Sequence, residues 1–399
     1  MNDQELNDTD IDGVPEEEVE EWFDSEDEGI EVTVTPEDAL SEKYTSTQLR
    51  VVRSTLDFTL HTLKSALSDP NYINFSPSYQ RRGRWDRKKR SLLIESFLLN
   101  VPIPPLFLFE NDYNQYEVMD GRQRLDTIAA FLENDFPLTG LEFWPELQGK
   151  RFRDLPGTIQ RGLLRRTISA VVLLAETAKG DEDFDIRMVL FRRLNTGGIN
   201  LNPQELRNAL YPGGFNNLLR ELSRYELFTM LWRIPPKSKN EEEDPPASLL
   251  KNTLYKAMMD CELVLRFFAI RETVLGDLKG SLRHILDKTM KNKQAVSTEE
   301  IDRLKELFLN TLQRLINALG KDFILLPGTK RPSRPLYDAL MVATSMNQEV
   351  RLDKVASEIT ARLGDTLANP EKYDVLVGRG NTVDAIKDRV ALAKYILLG

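Results

Sequence analysis

Strand-forming runs are confined to one part of this 399-residue chain, and that division limits the folds open to it. Leu106 to Glu110 and Tyr116 to Met119 are short apolar runs joined by a polar loop, which predicts a hairpin. Ser169 to Leu174 is continuously apolar and predicts a strand covered on both faces. From Phe184 onward, strand patterns are almost absent and helical patterns follow one another. The pattern predicts an α+β protein, with a mixed α/β domain followed by an all-α domain.

Helical patterns surround these strands. Val52, Leu56, Leu60, Leu63 and Leu67 recur at spacings of three and four, which predicts a helix over residues 49–68. Another helix is predicted over residues 87–99, ended by the prolines that follow, and a third runs from the hairpin to about residue 133. The second half predicts helices over residues 184–194, 203–211, 215–224, 249–271, 280–290, 298–319, 335–344, 352–363 and 382–398.

The charge of the chain is divided along its length. Residues 1–40 hold 17 Asp and Glu and no Lys or Arg, so the other 359 residues carry 46 acids and 53 bases, a net charge of +7. We interpret residues 1–42 as a disordered acidic tail, residues 43–180 as the α/β domain and residues 181–399 as the helical domain, with a mobile loop at 235–248. The tail either solvates the protein or, with Trp22 as an anchor, competes with nucleic acid for the basic body.

Composition excludes several classes of protein. The single Cys261 rules out an intrachain disulfide framework and a Cys-rich zinc cluster. With only His61 and His284, a Ser-His-Asp triad or a zinc site lacks residues, and there is no glycine-lysine phosphate loop. Neither a membrane span nor a secretory signal is indicated, so we expect a cytoplasmic protein that does not bind membranes.

The segment from Asp120 to Arg124 is the strongest candidate for chemistry. It follows a strand, contains Gly121 and opens a helix with Arg122, Gln123 and Arg124. Guanidinium groups at a helix N-terminus, beside a glycine that allows close approach, suit a phosphate. Asp120 would either cap the helix or hold Mg²⁺ beside the phosphate. A purely structural cluster of ion pairs is the alternative.

Two further segments favour the binding of polyanions. Seven of the ten residues from Arg81 to Arg90 are basic, and Trp85 lies among them either as a face for stacking a base or as part of the core. Later, Arg192 precedes Asn195, Thr196 and Gly197, whose glycine-rich backbone either binds phosphate or only ends a helix. If the chain hydrolyses a substrate, the available groups are Mg²⁺, arginines and carboxylates such as Glu95 and Asp120.

Five ordered segments together resemble a known prokaryotic family. They are Tyr79-Gln80-Arg81 with Trp85, Leu93-Ile94-Glu95-Ser96, Pro102-Ile103-Pro104-Pro105, Asp120-Gly121-Arg122-Gln123-Arg124 and Asn195-Thr196-Gly197-Gly198. In this order they resemble the domain of unknown function that forms the N-terminal part of GmrSD-type restriction endonucleases. The resemblance extends from about Arg50 to Ile270, and Arg122 stands where the family usually has glutamine.

The resemblance implies a ParB- and sulfiredoxin-like core that binds, and in some members hydrolyses, nucleoside triphosphates in defence against phage or modified DNA. It implies that Asp120, Gly121, Gln123 and Arg124 contact the nucleotide, with Tyr79, Gln80 and Arg81 beside them. Asp120, Glu95 and Gln123 are then the catalytic candidates, and Asp120 is the ligand of Mg²⁺. Longer relatives append an HNH-type nuclease domain, for which this chain lacks the histidines.

Whether the chain is an enzyme stays open at this point. The leading interpretation is an Mg²⁺-dependent NTPase that engages DNA in anti-phage defence. The alternatives are a DNA-binding regulator without turnover and a ParB-like nuclease that uses Mg²⁺. The partners expected are a nucleoside triphosphate, DNA, a separate nuclease or effector subunit, and further copies of the chain in a homo-oligomer.

Overall fold

A computed structural model describes residues 14–27, 53–69, 71–74, 85–174, 190, 193, 202–239, 241, 245–276, 280–329, 331–378 and 380–399. The chain divides into two compact units, one formed by residues 34–201 and the other by residues 1–33 together with 202–399. We call them the α/β unit and the helical unit. The protein is mixed α/β and mostly helical, as expected, but the N-terminal residues belong to the helical unit.

The described chain begins with α1 (Glu16–Asp24) of the helical unit and then enters the α/β unit. The elements of the α/β unit are β1 (Arg53–Thr59), α2 (Leu60–Leu67), β2 (Ile73–Asn74), α3 (Arg87–Leu99), β3 (Leu106–Asp112), β4 (Gln115–Asp120), α4 (Arg122–Leu132), α5 (Gly157–Leu164) and β5 (Thr167–Leu173). Short 3-10 turns at Pro145–Leu147 and Phe152–Asp154 lie between α4 and α5.

The five strands form one mixed sheet in the order β1-β5-β3-β4-β2. β3 and β4 are antiparallel, as the predicted hairpin requires, and Asn114 takes a positive φ of 58° in the turn between them. β3 pairs with β5 in parallel, and β5 pairs with β1 in antiparallel register. This arrangement places the end of β4 one strand from the centre of the sheet, where α4 leaves it.

The helix predicted over residues 49–68 is wrong in its first half. Residues 53–59 form β1, which pairs along its whole length with β5, and only Leu60–Leu67 is helical. The apolar spacing suited a helix, but pairing with β5 satisfies the backbone of this segment and buries Phe58. The side chain of Thr59 then accepts a hydrogen bond from the backbone of Thr62, which caps α2.

The core of the α/β unit lies between the sheet and the helices α2, α3 and α4. Its fully buried members include Leu60, Leu106, Leu125, Ile128 and Phe131. β5 alternates between exposed and buried residues at its start, so the prediction of a strand covered on both faces holds only for its last part. The core fixes α4 against the sheet and so fixes the turn that precedes it.

The helical unit is built around two long buried helices. After α1 its elements are α6 (Pro203–Leu210), α7 (Gly214–Leu222), α8 (Glu226–Leu231), α9 (Ala247–Lys251), α10 (Thr253–Lys256), α11 (Met259–Leu275), α12 (Leu282–Asn292), α13 (Thr298–Leu319), α14 (Arg334–Ser345), α15 (Ala356–Ala368), α16 (Pro370–Val377) and α17 (Val383–Leu398). α11 and α14 are buried along most of their length, and the rings of Phe228, Trp232 and Tyr337 pack between them and their neighbours.

The predicted helices of this half are largely confirmed. The helix predicted over residues 249–271 is divided into α9, α10 and α11. Asn252, in an extended conformation, separates α9 from α10, and Met258, in a left-handed conformation with a φ of 56°, separates α10 from α11. α8 and α16 gave too short a pattern to be predicted. The helix predicted over residues 184–194 lies almost wholly outside the described residues. No helix in the described ranges is long and apolar enough to cross a membrane.

The interpretation of the N-terminus as a wholly disordered acidic tail is wrong. α1 and the 3-10 turn Ser25–Asp27 that follows it are packed into the helical unit. Trp22 and Phe23 are buried, and the ring of Trp22 meets that of Trp232 edge to face at 6.2 Å. The acidic residues of α1 lie on its exposed face, which is why composition alone suggested disorder.

A buried ionic network holds this N-terminal segment in place. Glu26 is fully buried, and its Oε2 atom accepts a hydrogen bond of 2.6 Å from Arg207 of α6. Arg207 also pairs with Glu262 of α11 and Asp287 of α12, at 3.2 and 2.8 Å. Arg334 of α14 donates to the carbonyl oxygen of Trp22 at 3.0 Å. The segment is therefore an integral part of the helical unit.

The loop predicted to be mobile at residues 235–248 is anchored where the structure describes it. Both carboxylate oxygens of Glu241 accept hydrogen bonds of 2.7 Å from Arg224, and Arg224 also donates to the carbonyl oxygen of Pro235 at 2.8 Å. The final residues of the predicted loop belong to α9. At Glu241, a buried, bidentate pair with arginine fixes a position that the charged and proline-rich composition suggested would be mobile.

Candidate functional site

The segment that carries the candidate site forms a tight turn from β4 into α4. Asp120 is the last residue of β4 and lies opposite Phe107 of β3. Gly121 follows with a φ of +94°, and a Cβ atom there would lie 2.4 Å from a side-chain carbon of Leu106. Both the backbone conformation and the close approach of Leu106 require glycine. The chain can therefore turn from the strand directly into the first turn of α4.

Arg124 braces this turn from inside. Its guanidinium donates to Oδ2 of Asp120 at 2.8 Å and to the carbonyl oxygens of Pro104 and Pro105 at 2.9 and 3.3 Å. These bonds bring together two segments that are separate in sequence, the proline-rich approach to β3 and the turn. Only 11% of the Arg124 side chain is exposed. Much of its hydrogen-bonding capacity is thus used within the protein, as the structural alternative predicted.

No side chain caps the start of α4, because its capping position is Gly121. In the same unit Asp86 caps α3 and Thr59 caps α2 through side-chain hydrogen bonds, whereas α5, like α4, has no side-chain cap. A helix start carries the positive end of the macrodipole and favours a negative group. In α4 the protein supplies no capping carboxylate or hydroxyl at this position. The arrangement suits an anion from solution.

Arg122 and Gln123 occupy the first turn of α4, and both side chains are half-buried. Nε of Arg122 lies 3.9 Å from a carboxylate oxygen of Asp126, one turn along the helix. The backbone carbonyl of Gln123 accepts a hydrogen bond of 2.7 Å from the hydroxyl of Thr127. This ion pair is longer than that of Arg124 with Asp120, which is 2.8 Å.

Asp120 is the only carboxylate of the turn. Its side chain is 34% exposed, and Oδ2 is the atom that Arg124 contacts. Within the described ranges, no group of three or more histidine, cysteine and acidic residues is arranged to hold a metal ion. Mg²⁺ is commonly held by one or two carboxylates together with water and substrate phosphates. Because Arg124 already contacts Oδ2, Asp120 could contribute to a Mg²⁺ site only as one carboxylate beside phosphates and water.

Glu95, predicted to be catalytic, makes the contacts of a structural residue. It is buried in α3, and its carboxylate accepts hydrogen bonds from three successive backbone amides, those of Glu142, Phe143 and Trp144, at 2.8 to 3.1 Å. These bonds account for both carboxylate oxygens. The catalytic role of Glu95 stays a prediction, and the described contacts favour a role in holding the loop.

Trp85, predicted to stack on a base, is half-buried and packs against the core of the α/β unit. The ammonium group of Lys89 lies 4.9 Å from the centre of its ring. The basic run continues into α3, where Arg87, Lys88 and Lys89 are exposed and the guanidinium of Arg90 covers the ring of Phe136 at 4.2 Å. These contacts favour the alternative in which Trp85 is part of the core rather than a surface for stacking a base.

The remaining predicted contacts with phosphate fall outside the described residues. They are Tyr79, Gln80, Arg81, Arg192, Asn195, Thr196 and Gly197. Sequence reasoning also missed an exposed aromatic pair, Phe143 and Trp144, on the loop held by Glu95. Two adjacent rings between glutamates, just before Pro145, were the available signal.

Comparison with known proteins supports one assignment. No curated protein and no solved structure matches the chain. One family model does match, over a shorter range than the residues from about 50 to 270 whose motifs suggested the resemblance. Residues 63–212, which include the turn at 120–124, match the model of the family described as the GmrSD restriction endonuclease, N-terminal domain, and this match confirms the resemblance seen in the motifs.

Proposed function

We propose that this chain binds a nucleoside triphosphate at the turn from β4 into α4 and engages DNA, in a role in prokaryotic defence against phage. The observation that carries the proposal is the start of α4, where a glycine turn leaves the helix without a side-chain cap, inside the range that matches the GmrSD family. A ParB- and sulfiredoxin-like core in a cytoplasmic protein is part of the same proposal.

In this proposal, the phosphates lie over the first turn of α4. Arg122 supplies a cation to them, and Arg124 holds Asp120 and the proline-rich segment so that the turn does not move when the ligand binds. Asp120 is the residue that holds Mg²⁺. When bound, the ion would offset the negative charge that develops on the phosphates.

If the triphosphate is hydrolysed, Gln123 is the residue to orient the attacking water. Its amide can accept and donate a hydrogen bond at once, which suits a water that must be held in line with the phosphate. Neither histidine of the chain lies near the turn in sequence. Positioning and charge, rather than a strong base, are then the means of catalysis.

The experiment is a titration of the full chain with each fluorescent nucleoside triphosphate and Mg²⁺, followed by measurement of phosphate release with and without DNA. Arg124→Lys keeps the charge but loses the planar fork, so we expect triphosphate affinity to fall about tenfold or more. Gln123→Ala should lower phosphate release much more than affinity. Thermal unfolding of each variant checks that the fold is intact.

A matched control is Arg153→Lys, since Arg153 is 71% exposed in the same unit and pairs weakly with Asp154 at 3.7 Å. This variant should bind and hydrolyse as the unchanged protein does. Triphosphate affinity that is the same in folded Arg124→Lys and Arg153→Lys would show that the turn is not the nucleotide site.

A second candidate is a DNA-binding regulator without turnover. It is favoured by Arg87, Lys88 and Lys89, which are exposed and form no ion pair with any described residue. This candidate predicts steep salt dependence of DNA binding and no release of phosphate. The same titrations separate the two functions.

A further inference from the structure

We propose that the α/β unit binds a single strand of nucleic acid across the start of α3 and the loop held by Glu95, with bases stacked on Phe143 and Trp144. This inference deepens the proposed engagement of DNA and rests on it. We call residues 141–144 the aromatic loop and residues 87–89 the basic turn. The basic turn is the start of α3, and the aromatic loop is held against α3 by Glu95.

The aromatic loop presents its rings to solvent. Phe143 is 68% exposed and Trp144 is 36% exposed, and neither makes a ring contact with another described aromatic residue. Single exposed apolar residues are common, but two adjacent aromatic rings on a structured loop are typical of a binding surface. Aromatic faces are the usual platform for unstacked bases.

Buried hydrogen bonds fix the position of these rings. Oε1 of Glu95 accepts from the amides of Phe143 and Trp144 at 2.8 Å each, and Ser91 accepts from the amide of Thr139 at 2.9 Å. Glu95 and Ser91 are buried on the same face of α3, one turn apart. A carboxylate that accepts several amide hydrogen bonds holds a loop firmly, because bonds to a charged acceptor are stronger than neutral ones. The loop is therefore arranged before any ligand binds.

Lys88 of the basic turn lies on the same side of α3 as Ser91 and Glu95, three and seven residues before them. A Cβ atom on Gly140 would lie 2.9 Å from Cγ of Lys88, so the stem of Lys88 runs along the base of the loop. Glu95, which holds the amides of residues 142–144, is seven residues further along α3, about 10 Å from Lys88 along the helix axis. A stacked strand rises roughly 3.4 Å per nucleotide, so about three nucleotides at most are needed to cover that distance, and fewer where the bases are unstacked.

Charge favours a particular placement of the strand. Arg87, Lys88 and Lys89 lie at the positive end of the α3 macrodipole, where cations are unfavourable unless an anion is near. Asp86 caps α3, and its carboxylate accepts a hydrogen bond of 2.7 Å from the amide of Lys89. Glu142 and Glu146 are exposed beside the rings and would repel phosphate. Phosphates therefore suit the basic turn, and bases suit the aromatic loop.

The test uses the full chain and fluorescein-labelled 12-mers of deoxythymidine and of uridine, with neither nucleotide nor Mg²⁺ present. Binding is followed by anisotropy at low salt. We expect Phe143→Ala and Trp144→Ala each to weaken binding roughly tenfold, because loss of one stacked base has about that effect. Trp144→Phe keeps a ring and should restore most of the affinity. Lys88→Ala should lower the slope of log affinity against log salt by about 0.7.

Tyr113→Ala is the matched control, since Tyr113 is 95% exposed in the β3–β4 turn of the same unit. It should bind both oligomers as the unchanged protein does. Equal affinity for the 12-mers in Phe143→Ala, Trp144→Ala and Tyr113→Ala would overturn the proposal, as would the absence of measurable binding in the unchanged protein. The two oligomers also show whether the strand is DNA or RNA. Because no triphosphate is present, failure here is distinct from failure of the nucleotide site.

Glu95 acts as a positioning residue in this proposal. Glu95→Gln replaces one carboxylate oxygen by an amide donor, so hydrogen exchange at the amides of residues 142–144 should become faster. Affinity for the 12-mers should fall several-fold in parallel. Metal-dependent nicking of DNA that is lost in Glu95→Gln, with unchanged affinity and unchanged exchange, would instead make Glu95 the catalytic residue of a nuclease.

Discussion

The buried arginines of the helical unit and the basic residues at the start of α3 in the α/β unit are used in opposite ways. In the helical unit, Arg207 and Arg266 are fully buried and pair with carboxylates of other helices. In the α/β unit, Arg87, Lys88 and Lys89 are exposed at the start of α3 and form no ion pair with a described residue. The comparison teaches that positive charge alone does not identify a binding surface. The buried arginines are used in folding, whereas the exposed ones are available to a ligand.

The electrostatics of the helical unit depend on the N-terminal segment. Burial alone would raise the pKa of Glu26, but the charges of Arg207 and Arg283 and hydrogen bonds from Arg207 and Glu262 lower it to about 2. Burial and the charge of Glu26 instead raise the pKa of Glu262 well above its usual range. Burial and the neighbouring charge of Arg266 lower the pKa of Arg334 to about 9. Each group is matched to the others, so loss of one leaves the rest unbalanced.

The largest effect should come from removing the N-terminal segment. Deletion of residues 1–27 removes the buried rings of Trp22 and Phe23 and leaves Arg207 without Glu26. Because truncating one buried aromatic residue typically costs about 3–5 kcal/mol, we expect the helical unit to lose more than about 5 kcal/mol. Denaturant unfolding followed by circular dichroism measures the loss. A tail that serves only for solubility would leave the transition where it was.

The control for this deletion is the removal of residues 1–12, which keeps every described contact of α1. Its unfolding transition should match that of the full chain. The pair of deletions separates the effect of the packed segment from that of the acidic charge before it.

The second effect concerns Arg207 itself. Arg207→Met removes the cation and leaves the acidic groups Glu26, Glu262 and Asp287 without their common partner, so we expect a loss of about 3–5 kcal/mol. The comparison variant is Arg351→Met, because the pair of Arg351 with Asp353 is exposed and should contribute nothing measurable. Urea unfolding of the two variants tests the contrast. Equal midpoints would mean that the buried network does not stabilise the unit.

The third effect is a pH dependence of opposite sign in two neighbouring acids. The pKa of Glu26 is depressed in the folded protein, so its contribution to stability is present above its unfolded pKa of about 4.5 and is lost as the pH falls toward about 2. The pKa of Glu262 is raised, so its contribution is present below about 4.5 and is lost as the pH rises through the folded value.

Substitution by glutamine distinguishes the two acids. Glu26→Gln should destabilise the protein at neutral pH by about 2–3 kcal/mol and weaken its sensitivity to acid. Glu262→Gln resembles the protonated carboxyl, so it should be nearly neutral and should flatten the loss of stability at higher pH. Urea midpoints measured from about pH 3.5 to about pH 8.5 provide the comparison. Similar pH profiles for the two variants would contradict this assignment of charge.

Much of the α/β unit and the turn from β4 into α4 could be predicted from the sequence, because these features are local. The hairpin, the glycine at the turn and the helix after it depend on residues close together in the chain, and all were predicted. β1 was not, because its pairing with β5 spans more than 100 residues and its apolar spacing also suited a helix. The packing of the N-terminal segment was not predicted for the same reason, since the partners of Glu26 lie beyond residue 200. Long-range pairing leaves little signal in a single sequence.

The candidate site divides in the same way. The positions of Asp120, Gly121 and Arg124 follow from the strand, turn and helix pattern. The bracing of Arg124 by the carbonyl oxygens of Pro104 and Pro105 could not be predicted, because backbone acceptors have no signature in the sequence. The contacts of Glu95 were missed because a carboxylate that binds three amides of a distant loop has the same local pattern as a catalytic one.

The smallest effect on stability should occur at Arg122, because its pair with Asp126 is longer than the pairs of the buried arginines. Nε of Arg122 lies 3.9 Å from Asp126, whose side chain is 50% exposed. Exposed, long ion pairs contribute little, so Arg122→Gln should change the free energy of unfolding by less than about 0.5 kcal/mol. The same variant removes a cation beside the proposed phosphates and should weaken triphosphate binding several-fold. Urea unfolding and nucleotide titration are measured on one preparation. A large loss of stability with unchanged binding would place Arg122 with the structural arginines and remove it from the proposed site.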